Sequence, residues 1–178
     1  MGAQTTYSSA PGLGYSGTLD HDYPHGILTV KNVETSASIP FGKAVKFKTS
    51  SPASNYDALL PAAESDKVAG IVIREEIYAR TYTDADGNTV GDMDGTGLIP
   101  GTFFNIARKG RMLVTVATAV AVGDGLWVRA VAGSGETLGA LENADDSTDM
   151  IDCTTQARFV TSASIGGLAW LEFDFTNI

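Results

Sequence analysis

The chain has 178 residues, a net charge of −9 and a pI near 4.5, with 43% hydrophobic residues, 19% charged residues and 20 glycines. Length and hydrophobic share suffice for one domain with a real core and exclude a disordered chain. An acidic surface repels phosphate backbones and anionic membranes, and no apolar run approaches the roughly 20 residues of a membrane span, so neither nucleic acid nor membrane is an expected partner.

Low charge with abundant Gly, Val, Ala and Thr favours short strands and tight turns over helices. The N-terminus lacks the basic region and apolar stretch of a signal peptide, so folding in a cytoplasm is expected. Cys153 is the only cysteine. No intrachain disulfide can form, and the residue reads as a small, semi-buried side chain rather than a reactive thiol.

Residues 1–26, MGAQTTYSSAPGLGYSGTLDHDYPHG, carry almost no aliphatic side chains, and such composition does not build a core. Tyr7, Tyr15 and Tyr23 recur at even spacing within them. A tyrosine brings a large apolar area and a hydroxyl, which suits docking. The segment is read as an extended N-terminal arm that lies on a partner or a neighbouring copy, and 27–178 as a single β-rich domain. The cluster His21, Asp22, His25 has metal-capable types, but a structural site needs about four ligands in fixed geometry. It reads as polar loop, and no metal or cofactor is expected.

Ile27 to Val33 reads as a strand, Ile39-Pro40-Phe41-Gly42 as a turn, and Ala44 to Lys48 as a strand with Val45 and Phe47 on one face and Lys46 and Lys48 on the other. Residues 49–66 read as a loop with a short helical turn near Tyr56 to Leu60. Val68 to Ala79 reads as a longer strand in which Gly70 marks a bulge or a close backbone approach. Glu75 and Glu76 are strand neighbours and point to opposite faces, so they cannot flank one substrate atom. With Arg74 they read as solvated edge charges.

Residues 80–97 form the most acidic loop. Asp84, Asp86, Asn88, Asp92 and Asp94 have the oxygen ligands that calcium takes. The EF-hand spacing fails, however: counted from Asp84, the sixth residue is Thr89 where Gly is required and the twelfth is Gly95 where Glu is required. The loop is read as a projecting hairpin tip.

Leu98 to Ala107 reads as a strand, and Arg108 to Ala130 as two strands joined by a bend at Val122-Gly123-Asp124-Gly125. In the first, Met112, Val114 and Val116 alternate with Arg111, Leu113 and Thr115. In the second, Leu126 and Val128 alternate with Trp127 and Arg129. Short strands over Thr137 to Leu141 and Arg158 to Ser162 follow. The last, Leu168 to Phe175, is two-faced, with Ala169, Leu171, Phe173 and Phe175 expected in the core. Eight or nine short strands without a helix predict an all-β fold, a jelly-roll-like β-sandwich or barrel.

Catalytic chemistry is missing. There is no P-loop and no GxSxG elbow, Gly12-Leu13-Gly14 lacks a preceding strand, and both histidines lie in residues 1–26. Cys153 has no evident base. The chain is therefore not read as an enzyme.

Five stretches follow one another in order: Pro11-Gly12-Leu13-Gly14-Tyr15-Ser16-Gly17; Ser38-Ile39-Pro40-Phe41-Gly42-Lys43-Ala44-Val45; Leu60-Pro61-Ala62-Ala63 with Val68-Ala69-Gly70-Ile71-Val72; Ile99-Pro100-Gly101 with Arg108-Lys109-Gly110-Arg111; and Ala121 to Arg129. Near the end of the chain comes Thr161-Ser162-Ala163 to Leu168-Ala169-Trp170-Leu171-Glu172. In this order and spacing the sequence resembles the tailed-bacteriophage capsid cement, or head decoration, proteins.

The resemblance implies a β-rich, jelly-roll-like body that binds the outside of the expanded head as dimers or trimers. It would bridge neighbouring major capsid protein subunits and stabilise the shell against packaged DNA. The protein would then be made and assembled in the host bacterial cytoplasm and reside on the outer surface of the virion. Tyr7, Tyr15, Tyr23, Trp127 and Trp170 are the candidate capsid or subunit contacts. The competing readings are another virion β-domain, in a tail or tail fibre, and a carbohydrate-binding β-sandwich using the two tryptophans.

Overall fold

The computed structural model describes residues 14–49, 54–75, 82–83, 89–91, 97–133, 136–146 and 149–177. The described residues are all β, with no helix among them. The strands are β1 (Thr18–Leu19), β2 (Gly26–Asn32), β3 (Ala44–Lys48), β4 (Ser54–Leu59), β5 (Gly70–Val72), β6 (Tyr82–Thr83), β7 (Thr89–Val90), β8 (Phe103–Thr115), β9 (Trp127–Arg129), β10 (Leu141–Glu142), β11 (Met150–Asp152), β12 (Ala157–Phe159) and β13 (Leu168–Asp174).

β8 organises the molecule. Its first half pairs with β2 along one edge and with β5 along the other, and β2, β4, β3 and β5 pair in that order. The five strands therefore close into a small barrel. Its second half pairs with β13, beyond which lies β12, and with β1. A separate sheet of order β10-β9-β11 stands apart from this path, and β6 pairs with β7 as a hairpin.

Two cores follow from the alternation of side chains along each strand. Val30, Val45, Ala58, Val72, Phe104 and Ile106 fill the barrel together with Ile39, Ala69 and Leu98. The larger core lies between the second half of the long sheet and the small one. Met112, Val114, Ala169, Leu171 and Phe173 come from the first, and Val128, Leu141 and Ile151 from the second. Ala44, Ile71 and Ala107 face out of the barrel into this larger core, so the two units share a wall. Leu19 of β1 is also buried in it.

Four expectations change. Residues 54–59 form a strand, not a helical turn: β4 is held by parallel pairing to β2 and antiparallel pairing to β3. The strands expected at 98–107 and 108–116 are one element, β8, continuous through Gly110. There φ is +147°, and a Cβ would meet the Cβ of His25 at 3.2 Å, so glycine lets the β1–β2 connection pass close. Of the strand expected over 68–79, the described part, 68–75, forms a strand at Gly70–Val72, and 76–79 lie outside the described residues. The strand expected at 137–141 is shifted to Leu141–Glu142. Gly70 is the close approach that the sequence suggested: a Cβ would lie 2.6 Å from the Ala107 carbonyl oxygen. Barrel closure between β5 and β8 requires a bare backbone at that point.

Cys153 is buried, and burial first, then the charge of Asp152, pushes its thiol up to about 12. It should therefore stay unmodified by iodoacetamide at pH 8 in the native protein and react promptly once unfolded. Fast native labelling would mean that this edge of the larger core opens readily.

Candidate interaction surface

The outward face of the β12-β13-β8-β1 sheet is polar and ordered by cross-strand pairs. Register places Asp174 opposite Lys109, Glu172 opposite Arg111, and Arg158 opposite Glu172. The corresponding ion pairs are 2.9, 3.5 and 3.6 Å. All are at least partly exposed, so each contributes little to stability and serves mainly to set charge pattern and register. The hydrogen bond from the Thr176 hydroxyl first, then that from Lys109, draws the Asp174 carboxyl down to about 2.

Tyr23 lies on this face. Its hydroxyl donates to Glu172 Oε1 at 2.7 Å, and the Arg111 guanidinium sits 4.6 Å from its ring centroid. That hydrogen bond is the main reason the phenol is raised and the Glu172 carboxyl lowered from their ordinary values. The backbone leading to Tyr23 is sewn to the β8 edge. Gly17 N–H donates to the Leu113 carbonyl, Asp20 N–H to the Arg111 carbonyl, and Thr115 N–H to Ser16 Oγ.

Tyr15 is 67% exposed, with the Arg74 guanidinium 4.5 Å from its centroid and also 5.4 Å from that of Phe41. Arg74 is thus a stacked cation rather than a bare edge charge, and Glu75 Oε1 accepts from the Asn105 amide at 2.7 Å. His25 Nδ1 donates to the Tyr23 carbonyl at 2.9 Å, and the rings of His21 and His25 meet edge to face. The HDYPH stretch is therefore packed into a turn.

The two tryptophans are both half-buried but are not brought together. Trp170 sits directly across from Leu113 on the Tyr23 face. Trp127 lies between Glu142 and Asp152 on the small sheet, where alternation turns Val128 into the core and Trp127 away from it. The larger core separates the two faces. Tyr7 and the acidic positions Asp84, Asp86, Asn88, Asp92 and Asp94 lie outside the described residues.

Two features escaped the sequence reading. The first is Arg129, 2% exposed, whose Nε and Nη2 donate to the two Glu142 carboxylate oxygens at 3.0 Å each. Nη1 meets Asp146, and also Glu136 at 3.2 Å. The second is a groove of about 830 Å³ at one mouth of the barrel, which collects Lys46, Lys48, Lys67 and Arg108 around Phe47 and Tyr56. These cations come from three separate stretches of chain, and only the barrel gathers them.

A family model and a solved structure are similar to this chain over nearly its whole length. The family model described as "Structural cement protein (E217 gp24/Pam3 gp6)" matches residues 3–174. No curated protein matches the chain. Among solved structures, a chain from "The capsid of Myoviridae Phage XM1" is similar with a TM-score of 0.66 at 14% identity, covering 98% of each chain. A chain from "The crystal structure of head fiber gp8.5 N base in bacteriophage phi29" is similar at a TM-score of 0.48 and 12% identity, covering 87% of this chain and 98% of that one. With a match that runs over nearly its whole length, the chain belongs to the phage structural cement protein family.

Proposed function

We propose that the protein binds the outer surface of the expanded phage head, bridges neighbouring major capsid protein subunits and stabilises the shell against packaged DNA. The observation that carries this reading is the cement-family match over residues 3–174. The acidic balance of the chain, −9 overall, suits a position away from the genome. No reaction is part of the role; the work is binding energy. A ligand that binds only the mature shell stabilises it by about 2.7 kcal/mol per site at one hundred times its Kd. Repeated over a lattice, that opposes rupture.

Residues 1–26 serve in this reading as the contacting arm and 27–178 as the body, the arm being tied to the body where Thr18–Leu19 pairs with β8 and Leu19 enters the larger core. Tyr7 and Tyr15 reach for the shell or a neighbouring copy in a dimer or trimer, Tyr23 holds the arm to its own sheet, and Trp127 and Trp170 offer contacts on opposite faces. Heating shells with and without the protein tests the role. Shells carrying it should release DNA at a higher temperature, and equal release temperatures at saturating protein would reject it.

A further inference from the structure

The inward row of β8 runs Phe104, Ile106, Arg108. The first two fill the barrel, and the third ends the row at the mouth, its guanidinium 5.7 Å from the Phe47 ring centroid. Arg108 Nη2 donates to the Phe175 carbonyl at 3.1 Å, while its buried Nε has no partner. Tyr56, 67% exposed, forms part of the opposite wall. Lys46 is already used: its ammonium lies 2.7 Å from Asp66. Asp66 also accepts from the N–H groups of Ala62 and Ala63. Burial works against its charge, but these bonds outweigh it and hold the carboxyl below its ordinary value. Asp66 is therefore saturated, and Lys48 and Lys67 have no carboxylate partner among the described residues.

A chain of net charge −9 thus gathers uncompensated cations beside exposed aromatic surface at the open end of a barrel, a common place for a ligand. We propose that this mouth receives an acidic, extended segment of the shell protein. Its carboxylates would lie against Lys48, Lys67 and Arg108, and an apolar side chain against Phe47 and Tyr56. The proposal rests on the cementing function above. Charge complementarity selects carboxylates, and the cementing function on which the proposal rests makes the shell protein their source.

The test compares wild type with Lys48→Glu/Lys67→Glu, Lys48→Arg/Lys67→Arg and Lys31→Glu in binding to expanded shells that lack the protein. Lys31 lies beside Phe103 on another part of the barrel wall. Charge reversal should weaken binding by on the order of tenfold or more with an unchanged unfolding midpoint, while the arginine pair and Lys31→Glu bind as wild type does. Charge-reversed protein binding as tightly as wild type would overturn the proposal and leave cementing intact. Failure of wild type itself to bind would instead remove the cementing function on which the proposal rests. If charge reversal abolishes self-association measured by light scattering and leaves shell binding of the monomer unchanged, the occupant is a second copy and the proposal is wrong.

Discussion

Arg129→Met lowers the unfolding free energy by about 3–5 kcal/mol, because it leaves a buried carboxylate without its partner. Glu142 is 5% exposed and both its oxygens are occupied by Arg129. Lys43, partly desolvated and donating to Thr137, already feels the charge of Glu142 but does not supply the two hydrogen bonds of the guanidinium. Asp146 and Glu136 are 39% and 41% exposed and return to water at little cost. The double variant Arg129→Met/Glu142→Met should recover to within about 1–2 kcal/mol of wild type, since a buried ion pair replaced by apolar groups is often neutral or stabilising. Urea unfolding of the wild type and both variants measures this. A single variant within about 0.5 kcal/mol of wild type would mean that water reaches Glu142.

Phe104→Ala costs about 3–5 kcal/mol, and the adjacent Phe103→Ala stays within about 0.5 kcal/mol. The two rings point to opposite faces of β8. Phe104 is 1% exposed at the centre of the barrel core, while Phe103 is 64% exposed. The barrel wall cannot collapse into the vacated space, because β8 is paired on both edges, with β2 and β5. Equilibrium unfolding should show a large fall in midpoint for one variant, almost none for the other, and the same slope for both. Similar losses for both would contradict the assignment of the barrel interior.

Legibility in the sequence followed how sharply each strand separates core from solvent. β13 was readable because Ala169, Leu171, Phe173 and Phe175 are buried while Trp170, Glu172 and Asp174 are half-exposed. β3 was readable from the alternation of Val45 and Phe47 with Lys46 and Lys48, although its burial is less sharply divided, with Ala44 and Val45 both buried. β4 was not: Ser-Asn-Tyr-Asp-Ala-Leu is poor in β-branched residues, and only its pairing with β2 and β3 makes it a strand. β8 was split after Ala107 because Gly110 among the three charged residues Arg108, Lys109 and Arg111 looks like a turn; its length comes from pairing on both edges.

The candidate site divides similarly. The spacing of Tyr15 and Tyr23 flagged residues that meet Arg74 and Arg111, yet their partners lie far off in sequence. Arg129 was passed over because its neutralising groups arrive through the β9–β10 register, and the barrel-mouth cations because closure alone brings them together.

The most direct measurement is co-sedimentation of the purified protein with expanded phage shells that lack it, beside unexpanded shells as a control. Saturable binding to the expanded shells, reaching a fixed stoichiometry and raising their resistance to heat, is the predicted result. A folded protein that does not sediment with expanded shells at any concentration would contradict a cementing role.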